Sequence, residues 1–329
     1  MKRTAQLHKF ALPINVAIRP LYKLDNWHAP LVLAADFAII ALAILATRTV
    51  GWILYPLAII VIGSRQRALA TMVHEASHST LTRSKGLARI LATFFSGYLV
   101  LSTFYAYKAS HVASHHGHFG DSERDPDYRY MLQKGVYDIQ TKRKLIWEFF
   151  IKPCLLGNVP SYLSYLLRAR TFTVEKGEGR WESLWLGAYW AAIVGGSLAF
   201  GQGMNLLLFW IVPLFTTFQV IGWFIELAEH APLMHNRSEL HMTRNRNSHW
   251  LELFLTGMHG ENYHLAHHLR PRIPFWNMKA VHSLLLRDPD YRRWDSQCGG
   301  IFVSSNGAPS VLSLLLQRCV STHSIRLSA

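Results

Sequence analysis

Charged residues are scarce in this sequence. Aspartate, glutamate, lysine and arginine make up 16% of the 329 residues, whereas hydrophobic residues make up 50%. Soluble domains contain about 25% charged residues, so the composition argues against an ordinary soluble protein. It favours a protein embedded in a membrane.

Cysteines are scarce as well. Cys154, Cys298 and Cys319 are far apart and form no C-x-x-C pair, which argues against a disulfide framework and against a thiolate metal site. The 20 acidic residues are fewer than the 34 lysines and arginines, but the basic residues form no compact domain with a recognised nucleic-acid-binding motif. We therefore expect no nucleic-acid partner.

The sequence also lacks the features of a cleaved signal peptide. The basic start, MKRTAQLHKF, is followed by no apolar run before residue 31 and by no evident cleavage site. We expect residues 1–28 to form a cytoplasmic arm.

Long apolar segments are present, and they predict about four transmembrane helices. Residues 29–47 are long enough to cross a bilayer. Residues 50–63 continue through SRQRALATMV to HEASH, which predicts one long helix that ends beyond the membrane. Residues 184–200 and 204–228, joined by GQG, predict a helical hairpin. Residues 86–107 are interrupted by small and polar residues, so a span and a re-entrant segment are both open.

The distribution of positive charge predicts the orientation. Residues 1–28, 65–180 and 227–329 together contain 33 of the 34 lysines and arginines, which leaves Arg48 alone on the other side. By the positive-inside rule, both termini and the central loop are cytoplasmic. We expect an integral protein of a bacterial inner membrane.

Histidines are unusually numerous, with 18 in the chain. Three clusters, HEASH, HVASHH and ENYHLAHH, contain histidines at helical i, i+4 spacing, and the last two also contain an adjacent pair. All three lie on the predicted cytoplasmic side. In ELAEH, Glu226 and His230 share a helix face at the end of the last span. The isolated histidines are expected to be ordinary polar or surface residues: His8, His28, His235, His241, His249, His282 and His323.

HEASH alone fits the H-E-x-x-H pattern of a zinc peptidase, with Glu75 as general base. One catalytic zinc takes three protein ligands, whereas the clusters offer many more imidazoles, so two metals are expected to share them. The predicted metal ligands are His74, His78, His111, His115, His116, His230, His264, His267 and His268.

At these motifs the chain resembles the membrane fatty-acid desaturase family, the integral-membrane non-haem di-iron enzymes with three histidine boxes. The boxes match in order, and the flanking GENYHLAHHLRPRIP and EHAPL are also similar. The resemblance implies an all-α integral-membrane fold with about four spans and a cytoplasmic helical cap carrying a histidine-ligated di-iron site. The resemblance covers about residues 30–285. The sequence contains no evident internal repeat or second domain, so we expect a single domain over residues 1–329, with a catalytic core at 29–300 and a C-terminal tail at 301–329.

The resemblance also implies the reaction. Two Fe ions would use O2 as co-substrate to introduce a double bond into a fatty-acyl or lipid-like substrate. Family members place an asparagine that holds a metal-bound water where this chain has Glu226, so Glu226 is the catalytic candidate. No H-P-G-G haem motif is present, so an external electron donor of the ferredoxin or cytochrome b5 type, with its reductase, is expected.

Carboxylates near the boxes are candidates to orient the histidine ligands by accepting the second ring N–H. These candidates are Glu75, Asp121, Glu226, Glu229 and Glu261.

Alternatives remain open from the sequence. On the same scaffold they are desaturation of a small amino-acid-derived metabolite of the dihydrorhizobitoxine type, hydroxylation and decarboxylation. A ferritin-like site would use Glu75/His78 and Glu261/His264 but requires two more glutamates. A zinc peptidase explains only HEASH, and a membrane metal carrier would place its ionisable groups near the midplane of the spans.

Overall fold

The computed structural model describes residues 6–138, 141–172 and 178–326. Within these ranges the chain is helical, with two isolated β-bridges and no strand, which confirms the all-α class. The principal helices are α1 (Leu12–Ile18), α2 (His28–Val50), α3 (Tyr55–His78), α4 (Lys85–Val100), α5 (Phe104–His116), α6 (Pro126–Gln133), α7 (Lys142–Ile146), α8 (Val159–Leu166), α9 (Glu182–Ala199), α10 (Gly203–His230), α11 (Trp250–Thr256), α12 (His264–Leu269), α13 (Met278–Leu285), α14 (Pro289–Asp295) and α15 (Val311–Arg326).

Helix α3 carries the first histidine pair at its C-terminal end. Pro56 lies in its first turn, where the missing N–H costs no helical hydrogen bond. The helix ends where Ser79 adopts a left-handed φ of 64°, and the N–H of Thr80 then donates to the carbonyl oxygen of Glu75 at 2.9 Å. The predicted long helix ending in HEASH is therefore confirmed.

Helices α3 and α10 approach closely at Gly63. A Cβ at this position would lie 2.1 Å from Oγ1 of Thr217 and 2.7 Å from the backbone nitrogen of Phe218, so only glycine permits the contact. This crossing fixes the relative positions of the helices that end at His78 and His230.

Three helices of the described chain are long and apolar enough to cross a membrane: His28–Val50, Trp52–His78 and Gly203–His230. Helices α4 and α5 pass the same test only as a pair, and the pair is bent by 88°. The structure therefore has three candidate spans, or four if the bent pair is one span.

The predicted helical hairpin is present as α9 and α10, joined at residues 200–202. Helix α9 is not among the helices that are long and apolar enough to count as candidate spans. The segment 86–107, for which the sequence left a span and a re-entrant segment both open, contributes the bent pair.

Apolar packing holds the histidine-bearing helices together. Leu69 and Met72 of α3 are fully buried against α2 and α4, while Leu265 of α12 packs with α1 and α13. Trp223 of α10 is buried in a third cluster, and its indole N–H donates to the carbonyl oxygen of Phe149 at 3.0 Å. The C-terminal ends of α3, α5 and α10 meet α12 at the histidines that these helices carry.

Candidate metal centre

The structure brings the three histidine boxes and His230 together. Five imidazoles form one group whose potential ligand atoms all lie within 4.8 Å of one another: His74, His78, His111, His116 and His267. A second group within the same limit contains His115, His230 and His268, and His264 joins His230 and Glu229 in an adjoining one. Each of the nine sequence-predicted ligands therefore lies in one of these groups.

Imidazole nitrogens within the groups face one another. Nε2 of His267 lies 3.1 Å from Nε2 of His74 and 3.2 Å from Nε2 of His116. Nε2 of His264 lies 2.9 Å from Nε2 of His230 and 3.0 Å from Nε2 of His268. Two nitrogens bound about 2.1 Å from a common metal lie roughly 3–3.4 Å apart. The observed spacings fit two shared metal ions.

Several of these nitrogens are buried without a protein partner. Nε2 of His78, His111 and His115 has no hydrogen-bond partner among the residues that the structure describes. Buried polar atoms are nearly always hydrogen-bonded, and a bound cation would satisfy these lone pairs. The donor set therefore fits metal ions.

The environment of the third histidine box (His264, His267 and His268) favours neutral imidazoles. Burial, followed by the neighbouring imidazoles, holds the pKa of His264, His267 and His268 well below the usual range. A neutral imidazole is the form that binds a metal, so the box needs little deprotonation to act as a ligand set.

Two of the glutamates named from the sequence lie beside the histidines. An oxygen of Glu75 is 3.1 Å from Nδ1 of His74. An oxygen of Glu229 is 3.3 Å from Nδ1 of His264, and Arg246 holds the same carboxylate at 3.0 Å. These contacts fix the ring orientation and direct the Nε2 atoms inward.

Asp121 was wrongly included among the orienting carboxylates. Its carboxylate pairs with Arg124 at 3.2 Å and accepts the backbone N–H groups of Glu123 and Arg124. It therefore closes its own turn, away from the imidazoles.

The carboxylates beside the second histidine box (His111, His115 and His116) are Asp125 and Asp127. Neither was predicted from the sequence. Asp125 accepts from Nδ1 of His115 at 2.9 Å, and both side chains are fully buried. Asp127 lies 3.6 Å from the same nitrogen. Burial alone would raise the pKa of Asp127, but Arg170 and His115 lower it to about 2, so Asp127 is ionised. The D-P-D sequence at the start of α6 is a helix-capping signal that marks Asp125, although not its histidine partner.

A cavity of about 50 Å³ borders the imidazoles and is lined by charged residues. Glu226 lines it one helical turn before His230, together with Arg67, Arg170 and Glu261. Glu261 pairs with Arg67 at 2.9 Å and not with a histidine ligand.

A second, mostly apolar cavity of about 40 Å³ adjoins the first. Arg67, Tyr107, Arg170 and Glu226 line both cavities. Leucines of α8 and Phe218 line the apolar part. A molecule bound next to these four shared residues would contact the charged side chains of the first cavity and the apolar side chains of the second.

Of the histidines expected to be ordinary, those with described side chains lie outside the metal groups. His8 pairs with Asp288 at 3.2 Å and His28 with Asp25 at 2.6 Å. The side chain of His323 lies outside the described part of the chain.

Comparison with known proteins identifies the family. The fatty acid desaturase family model matches residues 50–296, which include all three histidine boxes. The chain is similar to the dihydrorhizobitoxine desaturase of Bradyrhizobium elkanii, with 38% identity over 317 residues that cover 94% of this chain and 90% of that protein. Both matches agree with the geometry of the site: the chain belongs to the fatty acid desaturase family and is an oxidoreductase.

Proposed function

We propose that this protein is an O2-dependent di-iron desaturase that acts on a small amino-acid-derived substrate. The observation that carries the di-iron assignment is the arrangement of nine imidazoles in two adjoining groups with inward-facing nitrogens. Imidazole suits iron as well as zinc, and family membership favours iron. His115, His230, His264 and His268 would hold one ion, and His74, His78, His111, His116 and His267 the other.

The proposed desaturation requires an oxidant, electrons, protons and correctly oriented metal ligands. The bound irons would supply the O2-derived oxidant that removes two hydrogens from adjacent carbons. With O2 reduced to two waters, two further electrons and two protons are required, which we assign to a separate ferredoxin- or cytochrome b5-type donor and its reductase. Glu75, Asp125 and Glu229 orient the ligands, while Glu226 faces the reacting cavity as the catalytic candidate.

Charged residues beside the imidazole groups support a small amino-acid-derived substrate. Arg67, Arg170, Glu226 and Glu261 line the cavity beside the imidazoles. Arg67 pairs with Glu261 and Arg170 with Asp127, whereas the contacts among the described residues include no ion pair for Glu226. Because a buried charge is costly unless it is paired, a substrate with an ammonium group would pair with Glu226, and a hydrocarbon chain would not. The relative that is 38% identical is named for dihydrorhizobitoxine.

A fatty-acyl substrate is the second candidate. The adjoining apolar cavity, lined by Leu163, Leu166 and Phe218, favours it because a hydrocarbon chain would bury its methylene groups there.

A product assay separates these candidates. Purified protein with two irons per chain, reduced ferredoxin and O2 is expected to give a product two mass units lighter from dihydrorhizobitoxine, and none from an acyl-CoA. Mass spectrometry with deuterated substrate measures the loss. Unsaturated products from the acyl-CoA alone would establish the second candidate, and one zinc per chain without iron would contradict the di-iron assignment.

We further propose that the cluster faces the cytoplasm of a bacterial inner membrane, because the lysines and arginines concentrate on the side of the histidine boxes. Alkaline phosphatase, which is active only outside, is expected to be active when fused after residue 202 and inactive when fused after residue 138 or 326. Green fluorescent protein fusions should show the reverse. An active phosphatase at residue 138 would contradict the orientation.

A further inference from the structure

A basic groove lies on the surface next to α5. It has a volume of about 900 Å³ and is lined by four cationic side chains, Arg124, Arg129, Lys134 and Arg168, with serines and tyrosines between them. Its described lining contains no aspartate or glutamate. Arg129 and Arg168 are exposed, so the groove presents positive charge to the surroundings.

The floor of the groove belongs to a helix that carries predicted metal ligands. Ser110 and Ser114 of α5 line the groove, whereas His111 and His115 of the same helix belong to the imidazole groups. An α-helix with its side chains is about 10 Å across. The groove and the imidazole groups are therefore about one helix width apart.

Hydrogen bonds connect the groove to the cluster. Arg170 donates to Oγ of Ser110 at 2.7 Å and to both oxygens of Asp127 at 3.1 Å. The hydroxyl of Tyr165, another groove residue, also donates to Asp127. Asp127 in turn lies 3.6 Å from Nδ1 of His115. Tyr165 is thus linked to a predicted metal ligand through a single buried carboxylate.

We propose that this groove is the docking surface for a small acidic electron-transfer protein, and that electrons reach the cluster through Asp127 and His115. The proposal rests on the proposed function, in which CH2–CH2 + O2 + 2 e− + 2 H+ gives CH=CH + 2 H2O. The reduced donor supplies the two electrons one at a time and is itself oxidised. Opposite charges on the two proteins accelerate their encounter and fix their orientation.

The test uses charge reversal in the full-length protein. Arg129→Glu/Arg168→Glu changes the groove by four charge units, and Lys279→Glu/Arg287→Glu makes the same change at exposed residues outside it. With an acidic [2Fe–2S] ferredoxin as donor, the groove variant is expected to raise the KM for ferredoxin by roughly 10-fold and to flatten its dependence on salt. The control is expected to stay near wild type.

A single-turnover measurement bypasses docking. Each protein is reduced chemically, freed of reductant, and mixed with O2 and substrate. The groove variant is expected to form as much product per chain as wild type, which shows that its folding and chemistry are intact.

The outcomes distinguish the two proposals. Absence of desaturation by the wild type with every donor and in single turnover would overturn the proposed function. An active wild type with the same ferredoxin KM and salt dependence in the groove variant as in the control would overturn the docking proposal. The docking proposal would also be wrong if phosphatidylglycerol raised the Tm of the wild type and not of the groove variant while the KM for ferredoxin stayed unchanged, because the groove would then bind lipid headgroups.

Discussion

Replacing His268 by alanine is expected to remove iron from the protein and to reduce desaturation to background. Nε2 of His268 lies 3.0 Å from Nε2 of His264, and the residue is grouped with His115 and His230. Four imidazoles are available to this proposed ion, so the loss of one leaves three. Removing an outer-shell partner typically costs about 10–100-fold, and the loss of a direct ligand should exceed that range.

The measurement is iron per chain by mass spectrometry, together with product formation. His235→Ala is the matched control, because His235 is exposed and lies outside the metal groups. It is expected to keep both irons and near-wild-type activity. Two irons and normal turnover in His268→Ala would remove this histidine from the ligand set and contradict the proposed division of the cluster.

The ligand-bearing elements were predictable because their signals are local. Spacing of i, i+4 places His74 and His78 on one helix face, and α3 indeed ends at His78. The distribution of positive charge then placed all three boxes on one predicted side of the membrane, which narrowed the ways in which they could meet. Local pattern and charge together were sufficient to predict the group.

The carboxylate partner of His115 was not predictable in the same way. Asp121 and Asp125 lie in one polar loop, and the sequence gives no reason to prefer either as a partner of a histidine. The choice depends on how residues 117–125 fold back on α5, which brings Asp125 and not Asp121 to Nδ1 of His115. Such a contact is set by tertiary structure and leaves only the capping signal in the sequence.

The bend between α4 and α5 has a similar origin. The sequence indicated an interruption within residues 86–107, and the structure shows Leu101 with a left-handed φ of 59°. The N–H of Thr103 donates to the carbonyl oxygen of Arg170 at 2.9 Å. A partner so distant in the chain fixes the direction of the bend, which composition alone does not determine.

Asp125→Ala is the second variant with a large expected effect, because Asp125 contacts the predicted ligand His115. Asp125 also accepts the N–H groups of Asp127 and Tyr128, each at 3.1 Å, and thereby caps α6. Asp125→Ala removes the cap, which typically costs about 0.5–2 kcal/mol, and leaves Nδ1 of His115 without its closest acceptor. We expect a lower Tm together with a loss of iron affinity and activity of roughly 10–100-fold.

Two further variants separate the capping role from the orienting role. Asp121→Ala removes a carboxylate that closes a neighbouring turn but touches no imidazole, so it is expected to lower Tm slightly and to keep its iron. Asp125→Asn retains an oxygen for capping but loses the charge that stabilises the His115 N–H, so it is expected to be more stable than Asp125→Ala and still bind iron more weakly than wild type. Iron release to a chelator and Tm would be measured on all three variants. Equal iron retention in Asp121→Ala and Asp125→Ala would mean that Asp125 acts only as a helix cap, because a ligand-orienting carboxylate must change the metal affinity when it is removed.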